Sequence, residues 1–333
     1  MPAGTRLKGD TLKLETYFNQ LHMNILCCID RNYLMPLCVT MVSIFENNTN
    51  TKISIFVIGK DLTDKEKNIA TEIAERYNQS ISFYEIDNKQ LEKLPNVHGY
   101  LTNATYIRLF ITEILSVDIE KILYLDNDII VNGNLKELWN TNIENHPCAV
   151  VLDSYSYNIE HFNRLQYPMS KGYFNAGVML INLKYWREHK IIEKAMEFAN
   201  KYPERIYMAD QDIMNYLFQD SKILLPLKFN AICTYFFRKK EVPYEIWNQL
   251  KEAQVNPIII HFTWIKPWFY EGTDHPLAEY FFKYLSLTPW KDIELKYFYK
   301  GINHYKYLLK KALGNIGLKK YKDNTYLRKE ELI

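Results

Sequence analysis

No Gly-rich phosphate loop occurs in these 333 residues: there is no G-x-G-x-x-G, no G-x-x-x-x-G-K-[ST] and no G-x-S-x-G. Those absences remove the ordinary dinucleotide-binding dehydrogenases, the P-loop nucleotidases and the serine hydrolases. No apolar run approaches the length of a membrane span, and the N-terminus lacks the apolar core of a signal peptide, so cytosolic residence is expected. The five cysteines (Cys27, Cys28, Cys38, Cys148, Cys233) form no C-x-x-C pair. Lying inside apolar runs, they read as buried free thiols of a reducing compartment rather than a zinc cluster. A net charge of +2 gives no global pull toward nucleic acid, and none is expected as a partner. What is present is a globular composition, 47% hydrophobic and 24% charged, with 26 Tyr. Such a chain can bury a large core.

Short apolar runs alternate with amphipathic segments. Strands are expected at 24–29, 52–57 and 80–86, with helices at 33–47 and 62–77 between them. That spacing means right-handed βαβ units and a parallel sheet. Further strands are expected at 122–125, 129–131, 149–152, 178–181 and 257–260, the last ending at His261. Helices are expected at 105–115, 135–139, 191–201, 212–218 and 276–285. The fold class is therefore α/β: one Rossmann-like domain (23–287) on a mainly parallel mixed sheet. A polar leader (1–22) precedes it, and a basic, aromatic, partly helical tail (288–333) follows as a small C-terminal appendage.

The stretch KILYLDNDIIVNGN (121–134) places Asp126 and Asp128 at the mouth of a buried strand. Alternation along extended chain puts both on one side. Such a pair is a hard-oxygen site for Mg2+ or Mn2+ bridging to phosphates; a plain Asp/Asn turn is the bland alternative. Ligands of open α/β sheets bind outside the carboxyl ends of the strands. That rule gathers Asp30, Asn32, Asp126, Asp128, Asp153, Asn175 and His261 into one candidate cleft. Without a Gly-rich loop, a pyrophosphate must be neutralised by metal and a cation. His261 can complete the shell of Asp126 and Asp128, and Lys266 can reach a phosphate as a point charge. Each has a structural alternative. Arg108 can be a helix-surface cation, Asn175-Ala176-Gly177 a strand-initiating turn whose glycine relieves backbone strain, and Asp210 a helix N-cap.

The blocks IDRNY (29–33), YIRL (106–109), YLDNDIIV (124–131), YFNAGVMLINLKYWR (173–187), DQDIMN (210–215) and HFTWIKPW (261–268) resemble, in order, the signatures of family 8 glycosyltransferases. TPWKD (288–292) and the tail resemble the bacterial lipopolysaccharide-core galactosyl- and glucosyltransferases of that family. The resemblance implies a nucleotide-sugar-binding, glycosyltransferase A-type domain. It implies retaining transfer from UDP-galactose or UDP-glucose to a saccharide hydroxyl, with Mn2+ or Mg2+ bound by Asp126, Asp128 and His261. By position, Asp30 and Asn32 contact the uridine and Tyr33 stacks on the uracil. Arg108, Asn175 and Ala176 meet the donor sugar, Asp210 and Gln211 lie beneath the anomeric carbon, and Asp153 faces the acceptor. One departure stands out. Where the family carries a glycine three positions after the metal histidine, this chain has Trp264, and the loop to Lys266 is one residue shorter.

Gln211 is an uncharged amide and a poor nucleophile, so same-face attack is favoured, the departing phosphate oxygen taking the acceptor proton. Gln211 then stabilises the cationic sugar and Asp210 holds hydroxyls. The tail mixes Lys with Tyr, Leu and Ile, which suits peripheral attachment to the inner face of the cytoplasmic membrane and a lipid-linked acceptor. The alternatives are a glycogenin-like self-glucosylating protein or other polysaccharide glucosyltransferase, a haloacid-dehalogenase-like phosphatase, and a non-catalytic nucleotide-sugar-binding protein.

Overall fold

The computed structural model describes residues 21–85, 103–238, 244–315 and 326–332. The expected leader lies outside the described residues except for its last two, and His22 already opens the first strand.

β1 (His22–Asp30) is an apolar run covered on both faces, which is why it sits inside the sheet. It pairs in parallel with β2 (Lys52–Lys60) on one side and β4 (Lys121–Leu125) on the other. β3 (Ser80–Tyr84) extends the sheet in parallel beyond β2. β7 (Phe174–Asn182) runs antiparallel between β4 and β6 (Cys148–Leu152), and the two-residue β8 (Ile223–Leu224) closes the edge. The order is β3-β2-β1-β4-β7-β6-β8, a mainly parallel mixed sheet as expected. A second, three-stranded sheet orders β5 (Ile129–Val131), β10 (Ile259–His261) and β9 (Ala231–Ile232) as β5-β10-β9.

Helix α1 (Leu34–Asn47) is buried over most of its length, with Pro36 in the first turn where its missing N–H costs nothing. α2 (Asp64–Arg76) starts on a reciprocal Thr63–Glu66 capping box. The segment expected as one helix over 105–115 is instead a 3-10 helix, Asn103–Phe110, followed by one short turn, Ile111–Ile114. Tyr106, Ile107, Arg108, Leu109 and Phe110 are all buried there, so residues 106–110 present no amphipathic face to solvent. Two helices were not expected, α3 (Ile159–Leu165) and α4 (Leu183–Glu188); α5 (Ile191–Lys201) is found as expected, and α6 (Asp210–Leu217) begins two residues before the expected Asp212. α7 (Trp247–Val255) and the short β8 and β9 were not expected at all. α8 (Ala278–Leu285) lies within the expected 276–285.

All five cysteines are free, four of them buried and Cys28 half-buried. No helix among the described residues is long and apolar enough to cross a membrane. The tail packs on the domain. Tyr270 N–H bonds the Lys296 carbonyl at 2.9 Å, and buried Glu271 accepts from the Phe298 and Tyr299 N–H groups at 2.7 and 3.2 Å. Helix α9 (Ile302–Asn315) is tied down by Tyr307 and Lys311, each 2.8 Å from Asp274. The chain end returns as a strap: Tyr326 bridges Phe237, and Arg238 grips Glu331 at 2.6 and 2.5 Å.

Candidate active site

The two sheets meet at Asp126-Asn127-Asp128. Antiparallel pairing sets His261 opposite Ile129, and Phe262 N–H bonds the Asp128 carbonyl at 2.9 Å, so β10 delivers its imidazole beside the acidic pair. Nε2 of His261 lies 3.2 Å from Asp128 Oδ1 and 3.7 Å from Asp126 Oδ2. The ligand atoms of Asp126, Asp128 and His261 all lie within 4.8 Å of one another. On the far side of β4, the Asp126 N–H bonds the Gly177 carbonyl at 2.9 Å, which brings the start of β7 against the same cluster.

The tautomer of His261 follows from one backbone donor. Gly177 N–H can only donate, and it meets Asn175 Oδ1 at 3.0 Å, which fixes that amide. Asn230 must then turn its Nδ2 toward Asn175 Oδ1, 2.9 Å away, and its Oδ1 toward His261 Nδ1, also 2.9 Å. The proton therefore sits on Nδ1 and leaves the Nε2 lone pair facing the carboxylates. Such outer-shell orientation is what a metal-binding histidine requires. Two hard carboxylate oxygens and one imidazole nitrogen fit Mn2+ or Mg2+.

Gly177 is needed for space. A Cβ there would sit 2.2 Å from His261 Cε1 and 2.7 Å from Asp126 Oδ2. Its φ is not in the left-handed region, so the strain argument offered for this glycine does not hold. Nor is Asn175-Ala176-Gly177 a turn before the strand; it lies inside β7, opposite a register shift between Val150 and Val151.

Lys266 reaches Asp128 with its ammonium and also bonds the Phe262 carbonyl at 2.7 Å. Burial alone would favour the neutral Asp128; the Lys266 ammonium overcomes it and holds the carboxyl below its usual range. Burial likewise works against the Lys266 charge, but Asp128 more than offsets it and the pKa rises. The pair is ionised.

Arg108 is a buried group, 6% exposed, rather than a surface cation. Its guanidinium contacts Asp210, sits 3.5 Å from Asp126 Oδ1 and donates to the Ala176 carbonyl at 2.6 Å. Asp126 is steadied further by the Tyr124 hydroxyl at 2.6 Å. Asp210 is fully buried, and burial, only partly offset by Arg108, pushes its carboxyl up to about 7. It is the first residue of α6, not its N-cap; the cap position is Ala209, a left-handed non-glycine with φ 50°. Backbone strain of this kind concentrates at functional sites.

Gln211 accepts the Ala176 N–H at 3.0 Å and turns its Nε2 to the Tyr173 hydroxyl at 3.2 Å. Tyr173 in turn donates to Asp212 at 2.8 Å. Asp212 also accepts from Arg164 at 2.7 and 3.1 Å and from the N–H groups of Tyr207 and Met208 at 2.7 and 2.6 Å. Asp153 accepts from Asn175 Nδ2 at 2.9 Å. At the other end, Asp30 caps the turn Arg31–Tyr33 by accepting Asn32 N–H at 2.8 Å. Tyr33 packs edge-on against Trp268 at 6.1 Å, and its phenol feels Lys266, Asp128 and Asp30.

Thus one connected network holds Arg108, Asp126, Asp128, Asp153, Asn175, Ala176, Asp210, Gln211, His261 and Lys266, with Tyr33 at its edge. Asp30 and Asn32 hydrogen-bond each other, and among the described residues no side-chain hydrogen bond joins either to that network. Sequence reasoning missed Asn230, Tyr124, Tyr173 and Asp212. Asp212 could have been found as the second acid of D-Q-D; Asn230, in a plain KFNA run, carries no signal.

A sequence model described as Glycosyl transferase family 8 matches residues 24–272. Lipopolysaccharide 1,2-glucosyltransferase of Escherichia coli is 31% identical over 303 residues, covering 88% of each chain. Lipopolysaccharide 1,3-galactosyltransferase of Salmonella typhimurium (strain LT2) is 28% identical, over 87% of this chain and 91% of the relative. Among solved structures, a galactosyltransferase, LgtC, in complex with donor and acceptor sugar analogs superposes with a TM-score of 0.73 at 25% identity. It covers 80% of this chain and 96% of that one.

Proposed function

The chain belongs to glycosyl transferase family 8, with the glycosyltransferase A-type fold, and from that premise we propose that it moves galactose or glucose from a UDP-hexose to a saccharide hydroxyl with retention. The acceptor is a lipopolysaccharide or lipooligosaccharide core, in keeping with the relatives described above. The observation that carries this reading is the cluster of Asp126, Asp128 and His261 with Lys266 bound alongside.

Asp126, Asp128 and His261 Nε2 would hold Mn2+ or Mg2+, which when bound neutralises the diphosphate and stabilises it as a leaving group. Lys266 adds a fixed positive charge at the same oxygens. Asp30 and Asn32 meet the uridine, and Tyr33, half-buried on Trp268, offers a ring to the uracil. Arg108 and Asp210, locked together, present a rigid polar wall to the hexose. Asp210 is committed to that guanidinium, which supports same-face attack over a covalent Asp210 intermediate. Gln211 supplies an amide dipole that meets developing positive charge on the sugar, and Asn175 and Ala176 line the donor-sugar side. Asp153, which orients Asn175, stands on the acceptor side.

On α9, Ile302, Tyr305 and Leu309 are 70, 71 and 61% exposed at i, i+3 and i+7, with exposed Lys306 and Lys310 beside them. An apolar face flanked by lysines supports peripheral binding to the anionic inner face of the cytoplasmic membrane. Replacing those three residues by Ser should weaken binding to anionic vesicles; unchanged binding would refute that part.

Calorimetric titration of UDP with Mn2+ and with EDTA tests the site itself. UDP should bind at least about tenfold more weakly without metal. Equal affinity in both would refute the assignment.

A further inference from the structure

The loop that departs from the family pattern holds an exposed indole on a fixed backbone. Between His261 and Trp268, Trp264 is the one large apolar side chain that is exposed, at 53%. Chain geometry keeps its Cα within about 11 Å of that of His261 and about 7 Å of that of Lys266. The chain thus holds Trp264 near the acidic cluster, with its indole exposed.

Its backbone is anchored at both ends. Thr263 N–H bonds the His261 carbonyl at 2.9 Å, and Cys233 N–H bonds Thr263 Oγ1 at 3.3 Å. At the other end the Lys266 carbonyl accepts from Phe269 N–H at 3.0 Å and is packed so closely by Gly272 that a Cβ there would lie 1.9 Å away. What the loop offers outward is the ring.

We propose that Trp264 is the stacking platform for the pyranose ring of the acceptor, a specificity-determining residue of the transfer proposed above, on which this inference rests. The donor hexose goes deep, because Arg108, Asp210 and Gln211 are all buried. An indole half in solvent near the acidic cluster meets the ligand that arrives last. One face of a pyranose carries C–H bonds whose slight positive charge suits the negative face of an aromatic ring. A rigid ring on a fixed loop loses little entropy when it is covered.

The test compares wild type with Trp264→Ala and Trp264→Phe, using lactose, maltose and cellobiose as soluble acceptors. Indole fluorescence is first titrated with each sugar in the presence of UDP and Mn2+. At least one sugar should change the signal in wild type and not in Trp264→Ala. With that sugar, Trp264→Ala should raise the acceptor KM about tenfold while UDP-hexose hydrolysis without acceptor stays unchanged. Trp264→Phe should recover most of the loss. The proposal is overturned if no sugar gives a Trp264-dependent signal, or if the acceptor KM does not move. It is equally overturned if the donor KM rises in step, or if only anionic-vesicle binding falls, which would make the ring a lipid anchor. Failure of the transferase reading shows separately, as absence of UDP release from every UDP-hexose by wild type.

Discussion

Gly177→Ala puts a methyl group into the centre of the site. The added carbon would lie 2.2 Å from His261 Cε1, 2.7 Å from Asp126 Oδ2 and 3.0 Å from Asn175 Oδ1. Ordinary carbon contacts are about 3.5–4 Å, so the imidazole must retreat by more than about 1 Å. It has nowhere easy to go: Nδ1 is held 2.9 Å from Asn230, and the β10–β5 pairing fixes its backbone. Overpacking of this kind costs roughly 1–3 kcal/mol of stability. A misplacement of about 1 Å at a reacting centre costs on the order of 10²-fold in rate. Three readings separate the effects: the denaturant midpoint, Mn2+ affinity by calorimetry, and turnover of a UDP-hexose. The expected pattern is a modest midpoint loss with a far larger loss of Mn2+ affinity and turnover. Mn2+ binding and turnover within about threefold of wild type would refute the reasoning, since the site would then tolerate a clash that the geometry forbids.

Asn230→Ala should weaken Mn2+ binding by about 10–100-fold while Asn230→Asp keeps the acceptor for His261 Nδ1; equal affinity in both would contradict the tautomer argument. His275 is buried among Phe236, Phe262 and Tyr326, and burial lowers its imidazole to about 3. Its folded pKa lies below the unfolded value, so its contribution to stability is full above about pH 6.5 and is lost as pH falls toward about 3. The slope reaches up to about 1.4 kcal/mol per pH unit. Denaturant midpoints of His275→Phe should fall less steeply with acid over that window; parallel curves would count against it. Deleting 326–333 removes the Arg238–Glu331 pair and the Tyr326 packing, and should lower stability by roughly 1–3 kcal/mol without changing UDP affinity. A changed UDP affinity would show that the strap shapes the site.

Much of this was legible because strong local signals coincide with strand ends. Asp126 and Asp128 terminate a run that only a buried strand explains, and the six blocks from Ile29 to Trp268 repeat a family's order, which also disposes of the phosphatase alternative. Other features depend on long-range pairing. His261 could be proposed as a partner, but its tautomer hangs on Gly177 N–H acting through Asn175 and Asn230. Arg108 reads as half of an amphipathic face until three acceptors, just past β4, in β7 and in α6, close around it. Strands of two residues, such as β8 and β9, have too little pattern to be seen in sequence. Gly177 illustrates a different limit: its need for a missing Cβ is set by a side chain 84 residues downstream, so local backbone reasoning gave the wrong cause.

The most direct measurement is UDP release from UDP-galactose, UDP-glucose and UDP-N-acetylglucosamine, each with Mn2+ and with EDTA. The account predicts release from one of the two hexose donors above that from UDP-N-acetylglucosamine, abolished by EDTA and by Asp128→Asn. No UDP release from any of them, or release undiminished by EDTA and by Asp128→Asn, would contradict it.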